Sequence, residues 1–357
     1  MGLVRSLQPL PVPVPDTQTA ADGWRPLVSV IVVARNEEAN IGPCLEGILS
    51  QDYPHDRLEV LVLDGMSEDR TRDVVAGCTH RGVSIRVLPN PVKQRAHGLN
   101  LGIRAARGEV ICRIDARTRI TPTYVSSCLR TMRAAGAEAV GAAMRPIAET
   151  ATQEAIGLAM SHPFGVGDAQ FRLGKKSGFV DTIYLGLYRR EVFERVGLFD
   201  DAAPVISEDT ELHYRLRRGG GKIYLDSGIS VFYAPREALR DLARLYFRYG
   251  GARAGYVLKH RRFGSWRRLV PPALVLALVG LSIGALVDQR LLWPLAALVG
   301  TYLASTIGVS SMLAIRRRNA ALLGRLCLAF PCMHLAYGYG LWHRLLQRPR
   351  PGTYWGY

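Results

Sequence analysis

The sequence predicts an α/β fold built on a mostly parallel central sheet, followed by amphipathic interfacial helices and C-terminal transmembrane helices. Three observations carry this expectation. Short β-branched runs alternate with helical periods from residue 28 onward, an Arg-rich stretch follows residue 236, and long apolar runs close the 357-residue chain. Residues 28–33 (VSVIVV) form a continuous apolar run, the pattern of a strand buried on both faces. A helix over 37–51 follows, with Ile41, Leu45, Ile48 and Leu49 at helical spacing. Strands over 58–63, 83–88 and 110–114 then alternate with helices over 67–78 and 96–106. Such alternation predicts parallel strands joined by right-handed crossovers, with ligands bound beyond the carboxyl ends of the strands.

The second half of the sheet is less regular. The pattern predicts a helix over 124–135, then loops through the glycine-rich region 140–206, a strand ending at Arg189, and a short helix over 191–196 stopped by Gly197. Another helix opens at Ser207-Glu208-Asp209, where Ser207 is placed to cap and the acids favour the positive helix end. The Gly219-Gly220-Gly221 run ends it.

Beyond Glu237 the character changes. Arg240, Arg244 and Arg248 recur every four residues and share a helical face, so residues 236–268 read as an interfacial helix pair. Residues 269–287 and 291–315 are apolar over 19 and 25 positions, near the roughly 20 that cross a bilayer, and 320–342 is a third candidate weakened by Arg325 and His334. Five Lys and Arg in 259–268 and the run 316–318 flank the first hairpin, which predicts a multi-pass inner-membrane protein with residues 1–268 in the cytoplasm. A third full crossing would leave Arg344, Arg348 and Arg350 outside, against the same rule. The expected organisation is a flexible leader 1–26 without a signal peptide's apolar run, a folded domain 27–235, interfacial helices 236–268, a membrane region 269–343 and a basic, aromatic tail 344–357.

The net charge of +16 sits mostly in the last hundred residues: from Lys259 onward 13 Lys and Arg face the single acid Asp288, leaving 33 against 29 in residues 1–258. That distribution points to an anionic membrane surface and away from nucleic acid. The six cysteines show no CxxC pair, as expected of reduced thiols.

Three acidic sites carry the chemistry. Asp64 and Asp115 end predicted strands, and Glu208-Asp209 opens a helix. An unpaired carboxylate beside a core is costly, whereas one that meets a nucleotide, a metal or a hydroxyl has a use there. Asp64 can accept a base N–H or bond a ribose hydroxyl, or it can simply cap the next helix. Asp115 can hold Mg²⁺ or Mn²⁺ against a diphosphate, or form local pairs with Arg113, Arg117 and Arg119. Glu208-Asp209 suits a general base, and equally a helix start. The Arg240/Arg244/Arg248 stripe can reach phosphates or headgroups, or can be a solvated face. Spacing alone leaves each pair of readings open.

Together these segments resemble glycosyltransferase family 2, whose fold is GT-A. The resemblance rests on VSVIVVARNEEANIGPCLEGILSQ, LEVLVLDGMSEDRT, HGLNLGI, GEVICRIDART and SEDTELHYRLRRGG, spanning roughly residues 27–258. It implies that Val33, Arg35 and Glu37 line the nucleotide site, that Asp64 contacts uracil, and that Arg95 lies near the diphosphate. It further implies that Asp115 is the first acid of a DxD metal motif and Asp209 the catalytic base, with Glu208 its partner. Arg248 matches the Arg of QxxRW. Two departures stand out: the DxD position reads Asp115-Ala116-Arg117, and QxxRW has Leu245 and Tyr249 in place of Gln and Trp. The resemblance implies an inverting enzyme moving one sugar from a UDP-sugar to a lipid-linked saccharide acceptor for exopolysaccharide, with a divalent cation. A processive synthase, a polyprenyl-phosphate glycosyltransferase and a catalytically silent nucleotide-sugar-binding scaffold are the alternatives.

Overall fold

The computed structural model describes residues 23–78, 82–201, 207–262 and 265–347. Most of the expected leader, and Arg348 and Arg350 in the tail, lie outside the described residues.

The first half is the expected alternation: β1 (Val28–Ala34), α1 (Glu38–Leu49), β2 (Leu58–Asp64), α2 (Thr71–Ala76), β3 (Ser84–Pro89), α3 (Arg95–Ala105) and β4 (Val110–Asp115). Its strands pair in parallel in the order β3-β2-β1-β4. β1 explains the continuous apolar run. Val28, Val30 and Val32 enter one core with α1, while Ile31 enters another with Leu99 and Ile103 of α3. A strand covered on both faces has no polar side to show. Helix α2 is shorter than expected because residues 65–70 bind the β1–α1 segment instead: Ser67 Oγ and Asp69 Oδ2 accept the Asn36 and Glu38 backbone N–H at 3.0 and 3.1 Å.

The second half comprises β5 (Thr118–Ile120), α4 (Tyr124–Ala134), β6 (Ala139–Pro146), α5 (Ala151–Ala159), α6 (Pro163–Val166), α7 (Gln170–Leu173), β7 (Gly178–Phe179), β8 (Gly186–Arg189), α8 (Arg190–Val196), α9 (Glu208–Arg218) and β9 (Ile223–Tyr233). The sheet continues β4-β8-β6-β9-β5, with β7 on β9. β4–β8, β6–β8, β5–β9 and β7–β9 are antiparallel, so the far half is mixed. β8 returns against β4 because loops and short helices, not one crossover helix, precede it.

Residues beyond β9 form α10 (Leu239–His260), α11 (Val270–Ala285), α12 (Leu292–Arg316) and α13 (Leu322–Leu346). Where the sequence reads a helix pair, α10 is one continuous helix of 22 residues, and a single turn at Trp266–Leu269 follows. Leu242 and Tyr246 are buried, whereas Arg240 and Arg244 face outward at 78% and 73% exposure, as their spacing requires.

Two helices among the described residues are long and apolar enough to cross a membrane, Trp266–Ala285 and Gln289–Arg316. Only 6% of the first window is buried, which excludes a soluble-core helix. Helix α13, the third expected span, differs. Leu326, Phe330 and Met333 pack with Ile156 of α5 and with Leu242 and Tyr246 of α10, so one apolar side is covered by protein while Leu328 and Leu335 on another stay exposed. Glycines bring α10 and α13 into backbone contact. A Cβ on Gly250 would stand 2.0 Å from the Tyr337 carbonyl oxygen, and one on Gly340 would stand 2.1 Å from that of Phe247.

Candidate active site

The sheet register sets the site. Val33 pairs with Leu63 on one side and with Asp115 on the other, and Ala34 pairs with Asp64. Both strand-end acids therefore flank the carboxyl end of β1. The loops here hold unusual backbone: Asn36, Met66, Lys93, Leu185 and Ser207 all have positive φ. Such strain in non-glycine residues concentrates at functional sites.

Asp64 is buried, and its carboxylate accepts the Ser67 N–H at 3.1 Å and pairs with Arg72 Nε at 3.3 Å. Its local role is thus a turn cap as well as a polar group at the strand end. Glu37 receives Arg117 Nε at 2.7 and 2.9 Å. Arg117, the cation standing at the second DxD position, thereby clamps the β1–α1 loop. Arg35 lies within 4.0 Å of Glu68.

The centre of the site is Arg113, a residue given only a supporting role by the sequence. Its side chain is 2% exposed, yet it is fully charged chemistry inside β4. Nη2 reaches Glu208 Oε1 at 2.7 Å and Asp115 Oδ1 at 3.6 Å, and Nη1 pairs with Asp209 Oδ1. The Phe199 ring covers the guanidinium at 5.7 Å. One buried cation thus gathers the second and third acidic sites, although Glu208 lies 95 residues beyond Arg113 in sequence. A cation within the otherwise apolar run VICRID is the sequence signal that could have found it, because a buried guanidinium demands buried carboxylates.

Asp115 also receives Arg95 Nη1 at 3.3 Å and the Tyr184 hydroxyl at 3.0 Å. Burial by itself would raise its pKa; Arg95, Arg113 and Tyr184 outweigh burial and hold it below the usual carboxylate range. Asp209 gives only one oxygen to Arg113, and among the described residues Oδ2 accepts no hydrogen bond. Ser207 stands at the N-cap position of α9 but makes no side-chain cap, because its backbone is left-handed at φ 69°. The expected cap is replaced by strain that aims Glu208 and Asp209 at β4.

His213, one turn further along α9, is fully buried between the Thr182 hydroxyl at 2.9 Å and the Tyr188 hydroxyl at 3.0 Å. Burial, with Arg113 and Arg217 adding repulsion, lowers its pKa to about 3. Below pH 6.5 the unfolded chain binds a proton at this histidine that the native chain refuses, so stability falls as pH drops from 6.5 towards 3. The Asp115 contribution has the same sign: it is present above the ordinary carboxylate pKa and is lost as pH falls through its lowered folded value. We expect melting temperature to drop on acidification from pH 7 to 5, with a shallower slope in His213→Gln. Equal slopes would remove His213 as the cause.

A cavity of about 1100 Å³ opens beside this cluster. Arg95, Arg113, Glu208 and Asp209 line one end, Phe171, Arg172, Tyr249 and Arg253 the middle, and Val270, Leu274 and Leu298 the far end. Arg248, expected at the diphosphate from the QxxRW comparison, is on the exposed side of α10 and is not part of this wall; Tyr246, Tyr249 and Arg253 are. Among the described residues no three His, Cys, Asp or Glu side chains converge as metal ligands. Asp115, the expected cation ligand, is engaged instead by Arg95, Arg113 and Tyr184.

Residues 29–197 match the family model described as Glycosyl transferase family 2. Residues 29–197 therefore form a domain of the glycosyltransferase family 2 type. Over 321 residues it is 29% identical to the succinoglycan biosynthesis protein ExoA of Rhizobium meliloti, covering 89% of this chain and 94% of that protein. It is 26% identical over 239 residues to the dolichyl N-acetyl-alpha-D-glucosaminyl phosphate 3-beta-D-2,3-diacetamido-2,3-dideoxy-beta-D-glucuronosyltransferase of Methanococcus voltae, covering 65% of this chain and 74% of that one. The solved mannosyltransferase PcManGT of Pyrobaculum calidifontis, in complex with GDP-Man and Mn²⁺, superposes with a TM-score of 0.60 at 23% identity, over 86% of each chain. S. aureus TarS 1-349 in complex with UDP-GlcNAc gives 0.52 at 15% identity, over 87% of this chain and 90% of that one. These two structures share the GT-A fold expected from the sequence. With this domain and its glycosyltransferase relatives, the chain is a glycosyltransferase.

Proposed function

We propose that this glycosyltransferase is membrane-associated and inverting, and that it transfers one hexose from a UDP-sugar to a lipid-linked saccharide acceptor in exopolysaccharide synthesis. The observation that carries the reading is the single cavity running from Asp209 to the apolar helices α11 and α12. An acceptor held in the bilayer can extend its sugar along that cavity to the acidic cluster. Relatives support the acceptor class, since ExoA is a succinoglycan biosynthesis protein and the Methanococcus enzyme is named for a dolichyl-linked sugar phosphate. In this reading the basic flanks of α11 hold the catalytic domain on the cytoplasmic face of the inner membrane.

Asp209 Oδ2 accepts the proton of the acceptor hydroxyl as its oxygen attacks the anomeric carbon, while Arg113 keeps Oδ1 fixed. The bond from that carbon to the diphosphate breaks on the opposite face, and the nucleoside diphosphate departs with both bonding electrons. Arg95, held beside Asp115, neutralises the charge that develops on the diphosphate. A divalent cation shared by Asp115 and the diphosphate would supply the remaining positive charge. Val33, Arg35, Glu37 and Asp64 frame the nucleoside at the β1 and β2 ends, where Asp64 would turn from Ser67 toward the base. Leu245 and Tyr249 at the QxxRW position favour single addition over a processive synthase.

The test is nucleoside diphosphate release by the detergent-solubilised chain from a panel of UDP-sugars and GDP-mannose, with Mn²⁺, with Mg²⁺ and with chelator. Turnover restricted to one UDP-sugar and lost with chelator is the expected outcome. Turnover from GDP-mannose alone would overturn the donor assignment. Retained nucleotide binding with no turnover for any donor would favour the scaffold reading.

A further inference from the structure

The middle of the cavity holds guanidinium groups with no acid to balance them. Arg172 on α7 is nine-tenths buried; its Nη2 lies 3.4 Å from the Tyr249 hydroxyl, and its Nη1 is shut from solvent with no hydrogen-bond partner. Arg253 on α10, four residues after Tyr249 and so on the same helical face, has a buried Nη1 in the same condition. Arg344 of α13 adds a buried Nε without a partner. All three line the one cavity.

Several other charged groups on this wall already have partners. Lys259 pairs with Asp200 and Glu211, Arg268 with Asp181 at 3.0 Å, and the Asp168 carboxylate accepts the Ser265 hydroxyl at 2.6 Å. No ion pair involves Arg172, Arg253 or Arg344 among the described residues. One buried and two half-buried guanidinium groups left without an anion are unfavourable unless a ligand supplies the charge. Burial, with Arg268 nearby, disfavours the charged form of Arg253, whereas the tyrosines around Arg172 outweigh its burial and hold its pKa up.

The position of this cluster narrows the anion. On one side Arg172 packs on Phe171, which stacks with Tyr184, the residue bonded to Asp115. On the other side the wall becomes Val270, Pro271, Leu274 and Leu298 of α11 and α12. An anion here is attached to a sugar toward Asp209 and to a hydrocarbon toward the apolar helices. We propose that Arg172, Arg253 and Arg344 form a subsite for the phosphate or diphosphate of a long-chain lipid acceptor, separate from the nucleotide diphosphate site. This inference rests on the lipid-linked acceptor reading and gives that acceptor a fixed seat.

Binding can be measured without any turnover. We would titrate the full chain in detergent micelles with farnesyl diphosphate, farnesol, inorganic pyrophosphate and UDP, following tryptophan fluorescence. Farnesyl diphosphate should bind and should not be displaced by UDP, while farnesol and pyrophosphate should each bind at least about tenfold more weakly, since each lacks one half of the ligand. Arg172→Gln and Arg253→Gln should weaken farnesyl diphosphate by about tenfold or more, with UDP affinity kept as evidence of folding and Arg253→Lys recovering part of the loss. Glutamine variants that bind UDP and still bind farnesyl diphosphate within twofold of the original chain would overturn the subsite. So would displacement by UDP, or pyrophosphate binding as tightly as the lipid. If a glutamine variant loses UDP binding and hence its fold, the comparisons on the unaltered chain still decide the matter. A chain that seats farnesyl diphosphate through these arginines but turns over no donor keeps the subsite and loses the enzymatic reading; the converse removes the subsite alone.

Discussion

Asp209→Asn should reduce kcat by roughly 10²–10⁴-fold, the range general-base catalysis supplies, while donor KM and melting temperature stay near those of the unaltered chain. The amide keeps the size of the side chain and can still accept from Arg113 through its oxygen, so Glu208 and Asp115 continue to balance that cation. What it cannot do is take a proton. The measurement is acceptor-dependent nucleoside diphosphate release at saturating donor, alongside UDP affinity. Undiminished turnover would show that the proton leaves by another group. Glu208→Gln offers the useful contrast. Glu208 is 4% exposed and bound to Arg113, so its loss should disturb position more than proton transfer and cost less activity than the asparagine change.

Arg113→Met has the largest expected effect on stability. Removing the guanidinium leaves Glu208, Asp209 and Asp115 facing one another with their shared cation gone, and breaking such buried pairs costs about 3–5 kcal/mol. Denaturant midpoint measurements should register that loss, and activity should vanish with it. A compensated variant separates fold from function. Arg113→Met combined with Glu208→Gln and Asp209→Asn removes most of the uncompensated charge and should regain a large part of the stability, since an apolar replacement of a whole buried ionic group is often neutral. Activity should not return, because the base is absent. If Arg113→Met alone melts like the unaltered chain, Arg113 is not the keystone of the cluster.

The parallel half of the fold was legible because β1, β2 and β4 are covered on both faces and so write continuous apolar runs into the sequence. The mixed half was not. β6 is rich in alanine and glycine, β7 has two residues and β8 four, too short for a period to declare itself. The site divides in the same way. Asp115 and Asp209 could be singled out by their place at the ends of elements, but their connection through Arg113 is a tertiary fact 96 residues long. Arg172 and Arg253 carry no local signal at all, since an arginine near a glycine or on an amphipathic helix is ordinary until its surroundings are seen to lack an acid. Arg248 shows the opposite hazard: a motif position was matched while the helix turned a different face to the cavity.

The glycine contacts between α10 and α13 have a mechanical consequence. With carbonyl oxygens where side chains would normally keep two helices apart, neither helix can slide or rotate against the other without meeting backbone. Gly338 extends the constraint to α11, where an added Cβ would lie 2.6 Å from the Pro271 carbonyl oxygen. The helix bearing Tyr249 and Arg253 is therefore rigidly coupled to the helices with exposed apolar faces. Under the proposed lipid-linked acceptor, this coupling sets a fixed depth between Tyr249 and Arg253 and those apolar faces.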